Sequence, residues 1–307
     1  MNKEPYEIKK YYAIALDPIH VGAGGTRLGR VDLPIIREPG TDLPKIPGTS
    51  LSGPARAYTA LVTNKYSCAG RGGDGGEKHC GFVNPACPVC VPYGFSKGSG
   101  NSRQGLAQFF DAQILLFPVS SMVGPIWITS PMAVEGLGLG QTFKVNEDSY
   151  YPLRNQFLSK ERLNFGWLML DKDKDGQGNL NNEYLPKEII EKSILVSNKY
   201  FSMIINNNLE VRTSVSIDPA TGAAEEKMLF TYEAIPRGTV FKFDIVYNDG
   251  STFKIDVDTS WVKNQVENGL KLFEVLGIGG MNTRGMGRMK VLNLDTNRGD
   301  SNGKKFG

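Results

Sequence analysis

The chain has 307 residues, 40% hydrophobic and 22% charged, and no apolar stretch of the roughly 18 residues a membrane helix needs, which excludes both a disordered chain and a helical membrane protein. Its 35 basic and 32 acidic residues leave a net charge of +3, too little to signal a nucleic-acid partner from bulk charge alone, because binding surfaces are local. The polar start MNKEPYEIKK has no secretory apolar region, so a cytoplasmic location is expected.

KYYAIAL at 10–16 alternates and reads as an opening strand. Residues 17–47 are rich in Gly and Pro and read as loop. Ser50–Tyr66 reads as a helix, with Ser50 or Ser52 as cap, Pro54 in the first turn and Ala57, Leu61 and Val62 as its apolar face. After a cysteine-bearing segment, 107–119 and 124–131 read as two strands of a hairpin. Residues 132–200 are mixed. The stretch 209–235 reads as a long hairpin with DPATGAA at its tip; its two polar faces suit a projecting element better than a core one. GTVFKFDIVYN (238–248) is a further strand. SWVKNQVENGLKLFEVLG (260–277) is an amphipathic helix, with Val262, Val266, Leu270 and Phe273 on one stripe and Leu272, Val275 and Leu276 widening it. A Gly-rich turn and a last strand follow. Trimmed of insertions, this order is an α+β, RRM-like (ferredoxin-like) core.

Four features carry chemistry. HVGAGGTRLGRVDLPI, 20–35, fails the Walker pattern, because no Gly-Lys-Ser/Thr follows, and fails the dinucleotide pattern, because Pro34 and Pro39 interrupt the required helix. What remains is a loop whose bare amides at Gly22, Gly24 and Gly25, with Arg27 and Arg30, suit a phosphate backbone, or else a surface turn. Asp32 stands alone in an apolar run; it can hold a divalent ion or take a proton from a ribose 2′-OH. His20 is either a general base or a loop brace. Cys68, Cys80, Cys87 and Cys90 are all the cysteines of the chain, and Cys87-Pro-Val-Cys90 has metal-knuckle spacing, which points to structural Zn2+ with His79 as an alternate ligand. DKDKDGQGNLNNE at 171–183 imitates a calcium loop but has Asn182 where the bidentate Glu belongs, so an exposed acidic loop is expected. GIGGMNTRGMGRM at 277–289, with Gly280, Arg284, Gly285 and Arg288, can pair with the first glycine loop into a track for single-stranded RNA.

Taken in order, PIHVGAGG, VDLPIIRE, LPKIPGTSLSGPAR, FFDAQILLFPVSS, WITSP, RTSVSIDPATGAAEEKMLFTYEAIP and GIGGMNTRGMGRM resemble one family. The chain resembles the RAMP backbone subunits of type III CRISPR effector complexes, most closely the Cmr-type nuclease, with the Csm-type subunit as near alternative on its cysteine segment. The resemblance implies an RRM-like palm (about 8–64, 106–131 and 236–294), a zinc-bearing finger insertion (about 65–105), a long insertion (about 132–208), a β-hairpin thumb (about 209–235) and a disordered tail (about 295–307). It implies copies of the chain stacked as a filament on guide CRISPR RNA, alongside other effector subunits and away from membranes. Complementary target RNA is then cut at regular intervals by a metal-dependent endoribonuclease using Mg2+ or Mn2+. Asp32 matches the catalytic aspartate. RNA contacts are implied at Lys45, at Ser50, Ser52 and Arg56 of the helix-start motif, and at Arg212 of the thumb. The alternatives are a non-catalytic RNA-binding scaffold, in which Asp32 is structural, and a stand-alone zinc protein.

Overall fold

The computed structural model describes residues 4–24, 31–70, 74–98, 100, 102–154, 160–217, 219–222 and 224–295. Gly25, Arg27 and Arg30 of the glycine loop, and the expected tail from 296 onward, lie outside the described residues.

Strand β1 (Tyr6–Ala15) leads through a long loop and the short β2 (Lys45–Ile46) into helix α1 (Gly48–Val62). This helix starts before the predicted serine caps. The Gly48 N–H donates to Asp111 Oδ1 at 2.8 Å, so a carboxylate from a distant segment does the capping, and Ser50, Ser52 and Pro54 all lie inside the helix. The buried stripe also differs from the predicted one: Leu51, Ala55 and Thr59 face inward, while Leu61 and Val62 are exposed.

Helix α2 (Cys90–Tyr93), β3 (Ala107–Phe109), β4 (Ala112–Ser121) and β5 (Gly124–Thr129) follow. The expected single strand at 107–119 breaks at Phe110 and Asp111; the break frees Asp111 to cap α1. The mixed region resolves into α3 (Pro131–Val134), β6 (Ser149–Pro152), β7 (Arg162–Phe165), β8 (Leu168–Lys172), α4 (Lys187–Glu191), β9 (Ser193–Val196) and α5 (Asn198–Asn207). Then come β10 (Glu210–Ile217), β11 (Ala224–Ala234), β12 (Val240–Asn248), α6 (Thr259–Leu270), α7 (Phe273–Leu276) and β13 (Met289–Val291).

The result is a mixed α+β fold. Its main sheet runs β13-β1-β12-β4-β5-β9-β6-β8-β7, with β2 added to β4 and β3 to β12, and its pairings are antiparallel except β5–β9 and β6–β8. One face of the central strands, with Tyr11, Ala13, Phe241 and Phe243, packs on α1 and α6. The opposite face, with Tyr12, Leu115 and Val240, packs on Val134, Leu180 and Ile189 of the long insertion. Helices α1 and α6 touch backbone to backbone: a Cβ on Gly269 would lie 2.3 Å from the Ala55 carbonyl oxygen. That close crossing explains why the buried stripe of α1 is built around small residues. Val262, Val266, Leu270 and Phe273 are buried as read from periodicity. Val275 and Leu276 are exposed, because the chain leaves the α6 axis after Leu270.

Strands β10 and β11 form a separate two-stranded hairpin off the main sheet. Two more expectations need correction. In 171–183 the acids Asp171, Asp175 and Glu183 are exposed as expected, but Asp173 is buried, its carboxylate accepting the N–H groups of Asn146 (2.6 Å) and Asp175 (2.9 Å). Asp295, assigned to the tail, is held in place: its carboxylate meets Lys9 at 2.5 Å and Lys263 at 3.1 Å, and its N–H donates to Glu267.

Candidate nucleic-acid interface and metal centre

The segment after the first glycine loop adds to the edge of β11 at the base of the hairpin. Leu33 bridges Tyr232, the Leu33 N–H donates to the Thr231 carbonyl at 3.0 Å, and the Glu233 N–H donates to the Leu33 carbonyl at 3.1 Å. In this extended segment Val31 and Ile35 turn inward and Asp32 turns out to solvent. The acid in an apolar run is thus the outward residue of an alternating stretch. Thr231 holds it: the Thr231 N–H and hydroxyl donate to Asp32 Oδ2 at 2.7 and 2.9 Å, and the Asp32 N–H donates back to Thr231 Oγ1 at 3.1 Å. These bonds, the backbone one foremost, hold the Asp32 carboxyl below the usual carboxylate range. They fall on Oδ2 and leave Oδ1 for another partner.

At the hairpin base lies a partly buried knot that sequence reasoning missed. Glu233 Oε2 accepts Arg37 Nη2 at 2.9 Å, and Arg37 Nε donates to Asn206 Oδ1 of α5 at 2.9 Å. The Glu233 carbonyl oxygen lies 2.6 Å from His20 Nδ1. A carbonyl only accepts, so His20 donates from Nδ1. His20 is buried beside Tyr232, which fits a brace for the hairpin base. The available signal for Glu233 was an acid in the otherwise apolar YEAI exit of the hairpin.

The two glycine-rich segments lie side by side. The Gly280 N–H donates to the His20 carbonyl at 2.8 Å and the Gly287 N–H to the Pro18 carbonyl at 2.9 Å. At Gly279 (φ 73°) a Cβ would sit 2.5 Å from the His20 carbonyl oxygen, so only glycine permits this approach. Met281 and Met286 then pack with Leu33, Phe230 and Tyr232, fastening the second segment to the hairpin. Gly22, Gly24, Gly280 and Gly285 are exposed along this border.

The predicted basic contacts divide. Exposed Arg284 lies 5.7 Å over the Phe230 ring, with Nη1 3.5 Å from Ser214 Oγ, against the hairpin. Arg288 makes two bonds to Asp17 (2.5 and 3.0 Å), and Arg212 pairs with Glu210 at 2.6 Å. Lys45 is matched by Glu38 (2.7 Å) and Asp111 (2.8 Å). Ser50 and Ser52 lie half-buried on α1. Arg56, also on α1, turns toward the cysteines.

There the four Sγ atoms of Cys68, Cys80, Cys87 and Cys90 lie within 4.8 Å of one another, and among the described residues they are the one group of three or more potential metal ligands. Cys68, Cys87 and Cys90 are buried. The Cys80 N–H points to Cys68 Sγ (3.5 Å) and the Cys90 N–H to Cys87 Sγ (3.4 Å). Among the metal-free thiols the bond with Cys90 pulls Cys87 down to about 4, while burial pushes Cys80 up to about 11 and the bond with Cys87 pushes Cys90 up. Donor set, spacing and burial fit a closed four-thiolate metal site. His79 stands outside the group of four, with Nδ1 3.2 Å from Arg56 Nη2. Among the described residues no helix is long and apolar enough to cross a membrane.

Comparison with known proteins matches the sequence model of the RAMP superfamily to residues 13–290. The CRISPR system Cmr endoribonuclease Cmr4 of Pyrococcus furiosus is 28% identical, covering 94% of this chain and 97% of its own. The CRISPR system Cms endoribonuclease Csm3 of Methanothermobacter thermautotrophicus is 26% identical, covering 71% of this chain and 89% of its own. A chain of the type III-B Cmr-beta complex bound to cognate target RNA has the same fold, with a TM-score of 0.65 at 14% identity over 93% of this chain and 96% of that one.

Proposed function

The chain belongs to the RAMP superfamily, and from that membership we propose that it is a Cmr-type backbone subunit of a type III CRISPR effector complex that binds guide RNA and cuts complementary target RNA. The observation that carries the reading is Asp32: an exposed carboxylate fixed by Thr231 at the root of a hairpin that stands off the main sheet. Full-length similarity to a Cmr endoribonuclease supports it.

In this reading β1, α1, β4, β12, α6 and β13 form an RRM-like palm, supported by the order β13-β1-β12-β4 and by both helices lying on one face. Residues 65–105 form a finger held by structural Zn2+ on the four cysteines, and 132–208 are an insertion that backs the other face. β10–β11 is the thumb that intrudes between guide and target. Copies of the chain stack along the guide together with other effector subunits.

The chemistry is an in-line displacement. The 2′-oxygen of a target ribose bonds to the adjacent phosphorus, the bond from phosphorus to the 5′-oxygen breaks, the 2′-OH proton leaves and the 5′-oxygen gains one. Asp32 stays ionised at neutral pH, which makes it a weak base and a good electrostatic anchor. It orients the 2′-OH or offers Oδ1 to Mg2+ or Mn2+. Asp32 belongs to no group of three or more metal-ligating side chains among the described residues, so an ion held there would take further ligands from RNA and water. A divalent ion would neutralise charge on the phosphate. The hairpin supplies position, bending the target so that the attack is in line. Target sequence is read by pairing with the guide.

The same single carboxylate keeps the scaffold alternative in play. The deciding experiment assembles the complex on guide RNA and adds labelled complementary RNA with Mg2+, Mn2+ or a chelator. Regularly spaced cuts that vanish with chelator support the nuclease. Tight binding with intact RNA in every arm supports the scaffold.

A further inference from the structure

Helix α1 presents two buried stripes. Leu51, Ala55 and Thr59 serve the palm core and α6, whereas Arg56 and Ala60, one turn apart, face the cysteine segment. Ala60 is packed with Cys68, Cys87, Val89, Cys90 and Phe95. Arg56 Nε donates to the Cys68 carbonyl oxygen at 3.0 Å, and Nη2 reaches His79, the residue before Cys80. The guanidinium thus touches the backbone of one ligand and the neighbour of a second. Four thiolates on a divalent ion leave a net charge of about −2 in a largely dry site. Such a charge needs a nearby cation, and a half-buried guanidinium needs an anion.

We propose that Arg56 is the counter-cation of a tetrathiolate metal site, a positioning residue that ties the metal-bearing finger to α1. It is therefore withheld from the RNA backbone contact that its place in the helix-start motif implies. The proposal rests on reading the four cysteines as a zinc site. It also makes a structural link: zinc binding and the seat of α1 against the finger become one event.

The test follows zinc and RNA separately on full-length wild type, Arg56→Ala, Arg56→Lys and Cys87→Ser. Zinc content is measured by elemental analysis, zinc affinity by competition with a chromogenic chelator, and affinity for single-stranded guide RNA across a salt series at saturating zinc. Wild type is expected to hold stoichiometric zinc and Arg56→Ala to bind it about 10- to 100-fold more weakly, with Arg56→Lys between them because it keeps the charge but loses the fork. RNA affinity moves by less than about twofold, and its salt slope is unchanged. Equal zinc affinity in wild type and both Arg56 variants overturns the proposal. So does a salt slope reduced by about one in Arg56→Ala at saturating zinc, the mark of a lost phosphate contact. A wild type without zinc, indistinguishable from Cys87→Ser, overturns the metal reading itself.

Discussion

The cysteine cluster and the hairpin base are both built around anionic side chains, yet one is finished within the chain and the other is not. The cluster draws its four cysteines from residues 68–90, buries three of them and has Arg56 donating to the Cys68 carbonyl beside it. Asp32 is exposed, and its partner Thr231 is 199 residues away. The neighbouring hairpin base is held within the chain: Glu233 and His20 are buried, and half-buried Arg37 pairs with Glu233. Asp32 Oδ1 has no hydrogen-bond partner among the described residues. A structural metal site closes on itself, whereas a site that acts on a polymer is rigid below and open above.

The sharpest way to break this contrast is Cys87→Ser. Removing one ligand from a closed site is expected to abolish zinc retention and make 65–105 protease-sensitive, since this segment draws much of its folding energy from the metal. Limited proteolysis with elemental analysis checks it; a chain that keeps both zinc and protection contradicts the closed-site view. Next comes Glu233→Ala, which strands the Arg37 guanidinium at the hairpin root. It should cost up to about 3 kcal/mol in denaturant unfolding, with Glu233→Gln milder because it keeps a hydrogen-bond acceptor.

Thr231→Val takes away the hydroxyl from Asp32 and keeps the β11 strand. Target cleavage is expected to fall, by up to about 100-fold, with RNA binding and thermal stability little changed. The pH profile has a definite sign. The Thr231 bonds favour the Asp32 anion, so its folded value lies below the unfolded one; what the anion contributes is present above the unfolded value, about 3.9, and is lost as pH falls through the lower folded one. Single-turnover cleavage should therefore show no Asp32 inflection between about pH 5 and 8. The smallest effect is expected at Lys45→Ala, whose charge is already matched by Glu38 and Asp111: about 1 kcal/mol of stability or less, and RNA affinity within about twofold. A large RNA defect there would move the open surface toward β2.

Features whose partners are close in sequence were legible. The knuckle Cys87-Pro-Val-Cys90 and the α6 stripe of Val262, Val266 and Leu270 were read from spacing alone. Asp32 was legible as an anomaly, but Thr231 was not, because nothing local ties the two. The inward face of α1 was misread for the same reason: Ala55 and Thr59 are buried by Gly269 of α6, which leaves Leu61 and Val62 outside. Asp111 interrupted a predicted strand, and only the fold reveals it as the cap of α1. Arg56 was read from its motif as an RNA contact, while its direction is set by Cys68 and His79, which fold back onto the helix.

The most direct test of the central claim compares complexes assembled with wild-type chain and with Asp32→Ala. Both are given labelled complementary RNA and Mg2+, and binding and cutting are measured on the same samples. The account predicts equal binding, with cutting reduced by about three orders of magnitude or more, as when a group acting in the transition state is removed. Undiminished cutting by Asp32→Ala would contradict it.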